Sequence, residues 1–424
     1  MCWPPALGAE AARRAWGRVL GFLGKGLREG AGLARGRLAL LLTGLGLVLA
    51  VVGCGRAAPA TPAGPSRSPS PSPAATATRT PTRTPRPSAT PSPTATLTPT
   101  ATPVPRISLL FVGNIVPARC VQAAIDEGRR TPDDLYAEVA PLIRAADVAV
   151  GTLNAALSDY PPMRGCVRTF VLVGRTDHAA ALARAGFDGM SVATNHIKNC
   201  GLLDCGDRAF FDTLAALRSA GLWTVGAGPN LEAALQPVVL DVQGVRFAFV
   251  SLGYIEPRAF AGPQTPGIAV LTEENLRRAV ALARAQNPDV LIALPHWGPE
   301  YDPRPTFLQR RFARAFVDAG VDVVVGNHSH VVQGMEILDG VPVFYSLGNF
   351  MFDQNWSRET RQGVMLVLHF AGPQLVGWRY IPTVADGDGV VHLAGPDDAA
   401  ATLQRIWQAS PAGLLPTPTL PPWP

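Results

Sequence analysis

Val321-Asp322-Val323-Val324-Val325-Gly326-Asn327-His328-Ser329-His330 is the stretch on which the reading of this chain turns. A run dominated by valine fits a buried strand. A glycine then breaks it, and two histidines one residue apart follow in a tight loop. Neutral imidazole at a strand exit is a common metal ligand and a ready general acid. The pattern recurs upstream: Val290–Leu294 runs into His296-Trp297-Gly298, and Gly189–Ala193 runs into Asn195-His196. Four of the seven histidines therefore stand in short polar bursts directly after predicted strands. One such histidine alone reads as a structural hydrogen-bonding residue; four on strand-exit loops point to a site.

Between and around these strands the sequence alternates. Helical stretches are predicted over Thr176–Ala185, Asp207–Ala220, a segment from Thr272 with Glu273 and Glu274 in its first turn, and Thr306–Ala319. Thr131-Pro132-Asp133-Asp134 opens a further helix to Arg144, with Thr131 as N-cap and Pro132 at the first helical position. Ile107–Val112, Val148–Leu153, Trp223–Val225, Val343–Ser346, Gly363–Phe370 and Leu375–Tyr380 add strands. Gln236–Asp241 and Val245–Leu252, joined through Gln243-Gly244, read as a hairpin. Such alternation predicts an α/β fold whose apolar strands are covered on both faces, with ligands where loops leave the carboxyl ends of strands.

The net charge of +5 is unevenly spread. Residues 1–105 carry 12 Lys+Arg against two Asp+Glu, whereas residues 106–395 carry 24 against 28. The basic character belongs to the N-terminal part, and a nucleic-acid partner, which wants a basic face on the folded domain, is excluded. Leu38–Gly53 is an uncharged apolar run of 16 residues behind Arg35 and Arg37, too short for the roughly 20 that span a bilayer and suited to a signal segment. It ends Val51-Val52-Gly53-Cys54, which resembles a lipobox with Cys54 as the lipidated residue; an uncleaved anchor is the alternative. Residues 55–105 are Pro, Ser, Thr and Ala with a few Arg, a composition that stays disordered and extended. The expected organisation is a leader (1–54), a linker (55–105), one folded domain (106–395) and a mostly disordered Pro-rich tail (396–424) with a short helical possibility near Ala399–Ala409.

Gly113-Asn114, Thr152-Leu153-Asn154 with Leu157-Ser158-Asp159, Ala193-Thr194-Asn195-His196, His296-Trp297-Gly298-Pro299-Glu300-Tyr301, Gly326-Asn327-His328-Ser329-His330 and Tyr345-Ser346-Leu347-Gly348-Asn349-Phe350 stand in a telling order. That order and spacing resemble the poly-γ-glutamate capsule-synthesis (CapA) family over nearly all of 107–382. The family is similar to calcineurin-like metallophosphoesterases. The resemblance implies a β-sandwich flanked by helices, in four α/β/β/α layers, with a di-metal site on strand-exit loops. It implies Asn195, His296, His328 and His330 as ligands of a divalent Mn, Fe or Zn, and His196 as general acid. Arg119, Trp297, Glu300 and Asn349 fall where substrate or rim contacts are expected.

The chain also departs from the family. Asn114 and Asn154 stand where the family has metal-binding acids, Thr152 where it has Asn, and Asn199 where a third acid is common. Two adjacent dications need anionic ligands, and an amide oxygen is neutral. The expectation is a weakened dinuclear centre, a single ion through His296, His328 and His330, or no ion, with Asp159, Glu300 or Asp353 as possible substitutes for the lost acids. Two readings result: a metal-dependent, phosphoesterase-like hydrolase with a degenerate site, or a non-catalytic polymer-binding or assembly module. Either fits a protein tethered on the extracytoplasmic face of the cell membrane, acting in synthesis, export or anchoring of capsule or poly-γ-glutamate, with envelope polymer and capsule machinery as partners. Cys120, Cys166, Cys200 and Cys205, an even count in an exported domain, predict disulfides in one of three pairings; a zinc role for Cys200 and Cys205 is the alternative.

Overall fold

The computed structural model describes residues 104–160, 165–200 and 205–412. The leader with Cys54, the linker up to residue 103 and the tail from residue 413 lie outside the described residues.

The strand Arg106–Ile115 shows why the domain is layered. Successive side chains of a strand point to opposite faces. Leu110 and Val112 join a core with Leu182 and Phe210 of the helices Asp177–Ala185 and Arg208–Ser219. Ile107, Leu109 and Phe111 face the other way, onto Phe247, Phe249, Ile292 and Leu294 of a second sheet. That sheet repeats the alternation: Leu291 and Ala293 turn outward to Leu276 and Phe316 of the helices Glu273–Arg284 and Phe307–Asp318. Two sheets thus share one apolar interface and each carries helices on its far side, giving the expected α/β/β/α order.

The first sheet runs Val391–Leu393, Gln374–Ala385, Gln362–Ala371, Arg106–Ile115, Val148–Leu153, Gly189–Ser191, Trp223–Val225, with Asn349–Met351 also pairing to Arg106–Ile115. The second runs Met335–Leu338, Val341–Phe344, Val323–Val325, Val290–His296, Val245–Gly253, Val238–Val242. Arg106–Ile115, Val148–Leu153 and Gly189–Ser191 pair in parallel, as do Val245–Gly253, Val290–His296 and Val323–Val325. Their carboxyl ends therefore open toward the same edge, where the polar motifs lie. The predicted hairpin forms, with Gln243 at φ 49 and Gly244 at φ 84 making a turn that needs two left-handed residues.

Three expectations are corrected. The helix from Thr131 to Arg144 is instead a single turn, Asp134–Tyr136, followed by a short helix Ala140–Arg144. Thr131 Oγ1 accepts from the Asp134 N–H at 3.3 Å, but the N-cap of the turn is Asp133, not Thr131. Pro141, however, has no N–H to bond back to Ala137, so it begins a new helix rather than continuing one. Cys120–Asp126 is a helix that the sequence pattern does not anticipate. The third correction is the boundary at Gly395. Pro396–Ala409 is one helix, and its Leu403, Ile406 and Trp407, spaced at i, i+3 and i+4, pack on the inter-sheet core. Among the described residues, no helix is long and apolar enough to cross a membrane.

Candidate functional site

The pocket is assembled by strand ends. Asn114 closes Arg106–Ile115 and pairs across the sheet with both Thr152 and Asn349. His296 ends its strand and bridges to Asn327, which places the His328–His330 loop beside it. That loop is bent: His328 has φ 106 and His330 φ 60. Left-handed backbone costs a non-glycine residue about 1–3 kcal/mol and persists only when surroundings impose it. Here Asn327 donates to Thr152 Oγ1 at 2.7 Å, Trp297 N–H donates to Asn327 O at 3.0 Å, and Tyr301 N–H donates to Ser329 O at 2.8 Å. Asn327 is not among the residues the sequence singles out; it lies in view inside the motif, between the two sheets it fastens.

Asn195, His196, His296, His328 and His330 do converge, but in two distinct halves. In the first, His296 Nε2 lies 2.9 Å from Asn195 Oδ1 and 3.1 Å from His328 Nδ1. A single proton serves where three electron-pair donors meet. In the second, His330 Nδ1–H donates to Asn349 Oδ1 at 2.8 Å, and the Asn114 amide lies 3.3 Å from the same oxygen and 3.5 Å from His330 Nδ1. Asn349 in turn donates to Gln354 Oε1 at 3.0 Å and Thr360 O at 2.9 Å. His330 joins the amide network through Nδ1 and keeps its Nε2 lone pair, with its ring centre 6.0 Å from that of His328. Among the described residues, no group of three or more His, Cys, Asp and Glu is placed to hold a metal ion.

Burial holds all four imidazoles below their ordinary pKa, with mutual repulsion adding to it at His296 and His328. Neutral imidazole is the ligating form. His196, partly buried, is held by Asn199, whose Oδ1 also accepts from Leu172 N–H at 2.7 Å. At 2.8 Å the His196 Nδ1–H is the donor, so Nε2 presents a lone pair. A neutral imidazole in that tautomer has no proton to give at Nε2, and Asn199 supplies no charge to sustain an imidazolium.

Several residues sit elsewhere than expected. Trp297 is no rim residue: it is 1% exposed, stacks on Tyr345 and donates its indole N–H to Tyr345 O at 2.9 Å. Asn349 is likewise interior, orienting His330. The Arg119 guanidinium is not free for an anion, because Asp353 pairs with it and also accepts from Cys120 N–H. Asp353 is thereby excluded as a substitute ligand, as is Asp159, whose carboxylate caps Thr176. Glu300 alone among the three faces the pocket, its Oε1 4.0 Å from His330 Nε2. The cysteines pair as Cys120–Cys166 and Cys200–Cys205, so the zinc alternative falls away.

The donor chemistry decides what this pocket fits. Asn154 receives the His196 backbone N–H on Oδ1 at 3.4 Å, and its buried Nδ2 and the buried Asn114 Oδ1 have no partner among the described residues. Neither amide brings charge or a bridge for a pair of cations. A dinuclear centre does not fit. One ion fits the neutral donors Asn195 Oδ1, His296 Nε2 and His328 Nδ1, taking the place of the shared proton; Zn²⁺ tolerates such nitrogen-rich ligands. Bound there, it would supply charge to hold an anionic group.

These features define a mixed α/β protein with a histidine-amide pocket at its strand exits. Residues 108–354 match the model of the family described as Bacterial capsule synthesis protein PGA_cap, and the chain belongs to that family. It is 31% identical over 272 residues to the capsule biosynthesis protein CapA of Bacillus anthracis, a match covering 62% of this chain and 64% of that one. It is 31% identical over 265 residues to the PGA biosynthesis protein CapA of Bacillus subtilis, covering 62% and 67%. Among solved structures, a 5′-nucleotidase precursor from Thermus thermophilus aligns over 72% of this chain and 58% of that one, at 16% identity and a TM-score of 0.39.

Proposed function

We propose that this chain works on the extracytoplasmic face of the cell membrane, tethered through its apolar leader or Cys54, as a binding or assembly module in capsule or poly-γ-glutamate production. Family membership and the naming of its relatives support the polymer class, and the basic, apolar leader supports the tether. One observation carries the non-catalytic reading. Asn114, Asn154 and Asn199 stand where the family resemblance expects acids, and as neutral amides they offer no charge to a metal pair. In this reading Asn195, His296 and His328 would hold at most one ion, whose charge would suit a carboxylate or phosphate of the polymer or its precursor. Glu300 faces the pocket and selects what approaches.

The hydrolase reading rests on the intact histidines, His196 among them. Metal analysis of the full chain in detergent, after loading with Zn²⁺ or Mn²⁺, separates the two. One equivalent or less, with no phosphodiester hydrolysis, is expected. Two equivalents with hydrolysis would overturn the binding module. The triple variant Asn114→Asp, Asn154→Glu, Asn199→Asp is expected to raise the stoichiometry toward two.

A further inference from the structure

The helix Pro396–Ala409 falls beyond the stretch that matches the family model, yet it reaches the His330 half of the pocket through a chain of contacts. Arg405, on that helix, is an interior cation. Its side chain is 14% exposed, and burial lowers its pKa from the ordinary arginine value. Its Nη1 donates to Gln362 Oε1 at 3.0 Å, and Glu359 lies 3.5 Å from its Nη2. Asp398, in the first turn of the same helix, takes the other end of Gln362, accepting from Nε2 on Oδ1 at 2.7 Å. The same carboxylate oxygen accepts from Arg358 Nε at 2.6 Å. Gln362 itself is fully buried.

A charge taken out of water and only partly paired is a poor source of stability, because an apolar side chain of similar size packs at less cost. What the arrangement does supply is position. The oxygen and the nitrogen of the Gln362 amide are each fixed by a charged partner, so the amide can neither flip nor turn. Gln362 closes the short helix Arg358–Arg361, and Arg358 and Glu359 add their own ties to Asp398 and Arg405. The terminal helix thus holds that short helix from one side.

On the other side Thr360 ties it to the pocket. Thr360 O accepts from Asn349 Nδ2 at 2.9 Å, and Asn349 Oδ1 accepts from His330 Nδ1–H at 2.8 Å. The Thr360 hydroxyl donates to Gln354 O at 2.6 Å. Gln354 then donates Nε2 to Tyr301 OH at 3.2 Å, and Tyr301 stacks on the His330 ring. Both routes start at Thr360 and end at His330.

We propose that Arg405 is a positioning residue for His330, acting with Asp398 through Gln362, Thr360 and Asn349 to keep the His330 Nε2 lone pair turned toward Glu300. The terminal helix is thereby a working part of the site as well as a cover for the sandwich.

Nitrogen-15 spectra of the imidazoles, recorded on the full chain in detergent, test this. Arg405→Met is expected to shift or broaden the His330 signal while those of His178, His296 and His328 stay in place. Arg405→Lys, which keeps a donor for Gln362 and a charge for Glu359, is expected to bring His330 back. Asp398→Asn, at the partly exposed end of the clamp, should move His330 in the same direction and by less. If Arg405→Met does not fold, Asp398→Asn decides alone. A His330 signal that stays put while unfolding free energy falls would make Arg405 structural only and overturn the proposal. Equal shifts at all four histidines would overturn it too, since they report general loosening. Neither an ion nor a polymer enters these spectra, so their outcome is separate from that of the binding-module reading.

Discussion

The two halves of the pocket are built from the same kinds of residue and behave differently. Asn195, His296 and His328 point three donors at one place and share a single proton. Asn114, His330 and Asn349 bond to one another and then outward to Gln354 and Thr360, which fixes the His330 ring, while Asn114 Oδ1 has no partner among the described residues and His330 Nε2 faces Glu300 at 4.0 Å. The first half is poised to take an ion; the second acts as structure. The same residue type, asparagine, serves as an available ligand in one half and as a buried girder in the other. What differs is how many partners surround it.

The largest expected effect falls on the girder. Asn349 is fully buried, and its amide serves Asn114, His330, Gln354 and Thr360. Asn349→Ala strands His330 Nδ1, Gln354 Oε1 and Thr360 O, each orphan costing about 1–3 kcal/mol. A loss of about 3–5 kcal/mol in unfolding free energy is expected, read by denaturant titration. A loss under about 1 kcal/mol would mean that this half is not structural.

His328→Ala asks the converse. It is expected to lower Zn²⁺ affinity by more than about 100-fold, since even outer-shell losses cost about 10–100-fold. Its stability cost is expected to be smaller than that of Asn349→Ala, because the His328 ring hydrogen-bonds His296 whereas the Asn349 amide serves four groups. Calorimetric Zn²⁺ titration and denaturant titration on the same sample check both. Unchanged affinity would place the ion elsewhere.

Acid sharpens the contrast further. A buried imidazole with a depressed pKa binds fewer protons than the unfolded chain, so its contribution to stability is complete above about 6.5 and is lost as pH falls toward the folded value. His178, outside the pocket and bonded to Gln122, is pushed down to about 3 by burial. It alone should cost about 2 kcal/mol between pH 7 and pH 5. Added Zn²⁺ should steepen that loss through competition at His296 and His328, while the difference made by His178→Gln stays the same. A zinc-independent slope would argue against the ion.

Much of the layered fold was legible because strand periodicity needs only neighbours in sequence: the alternation Leu109, Leu110, Phe111, Val112 already names both faces. The helix Pro396–Ala409 was half visible, since Leu403, Ile406 and Trp407 form a stripe that the surrounding prolines obscure. The convergence of Asn195, His196, His296, His328 and His330 was legible through strand exits. Their division into halves was not, because it depends on Asn349 and Asn327, whose partners lie far away in sequence. The place of Arg119 was hidden for the same reason: nothing local shows that Asp353 neutralises it.

The smallest expected effect tests where the boundary between the halves falls. Glu300 is the one carboxylate of the three candidates that faces the pocket, about one-third exposed and 4.0 Å from His330 Nε2. It sits on the girder side, and water screens an exposed charge so that such pairs are worth about 0–1 kcal/mol. Glu300→Gln should therefore weaken Zn²⁺ binding by less than about fivefold, the factor that about 1 kcal/mol sets. If the loss exceeds about tenfold, Glu300 and His330 are taking part in the ion's charge balance. The girder half would then be a ligand half as well, and the distinction drawn between Asn195 and Asn349 would have to be given up.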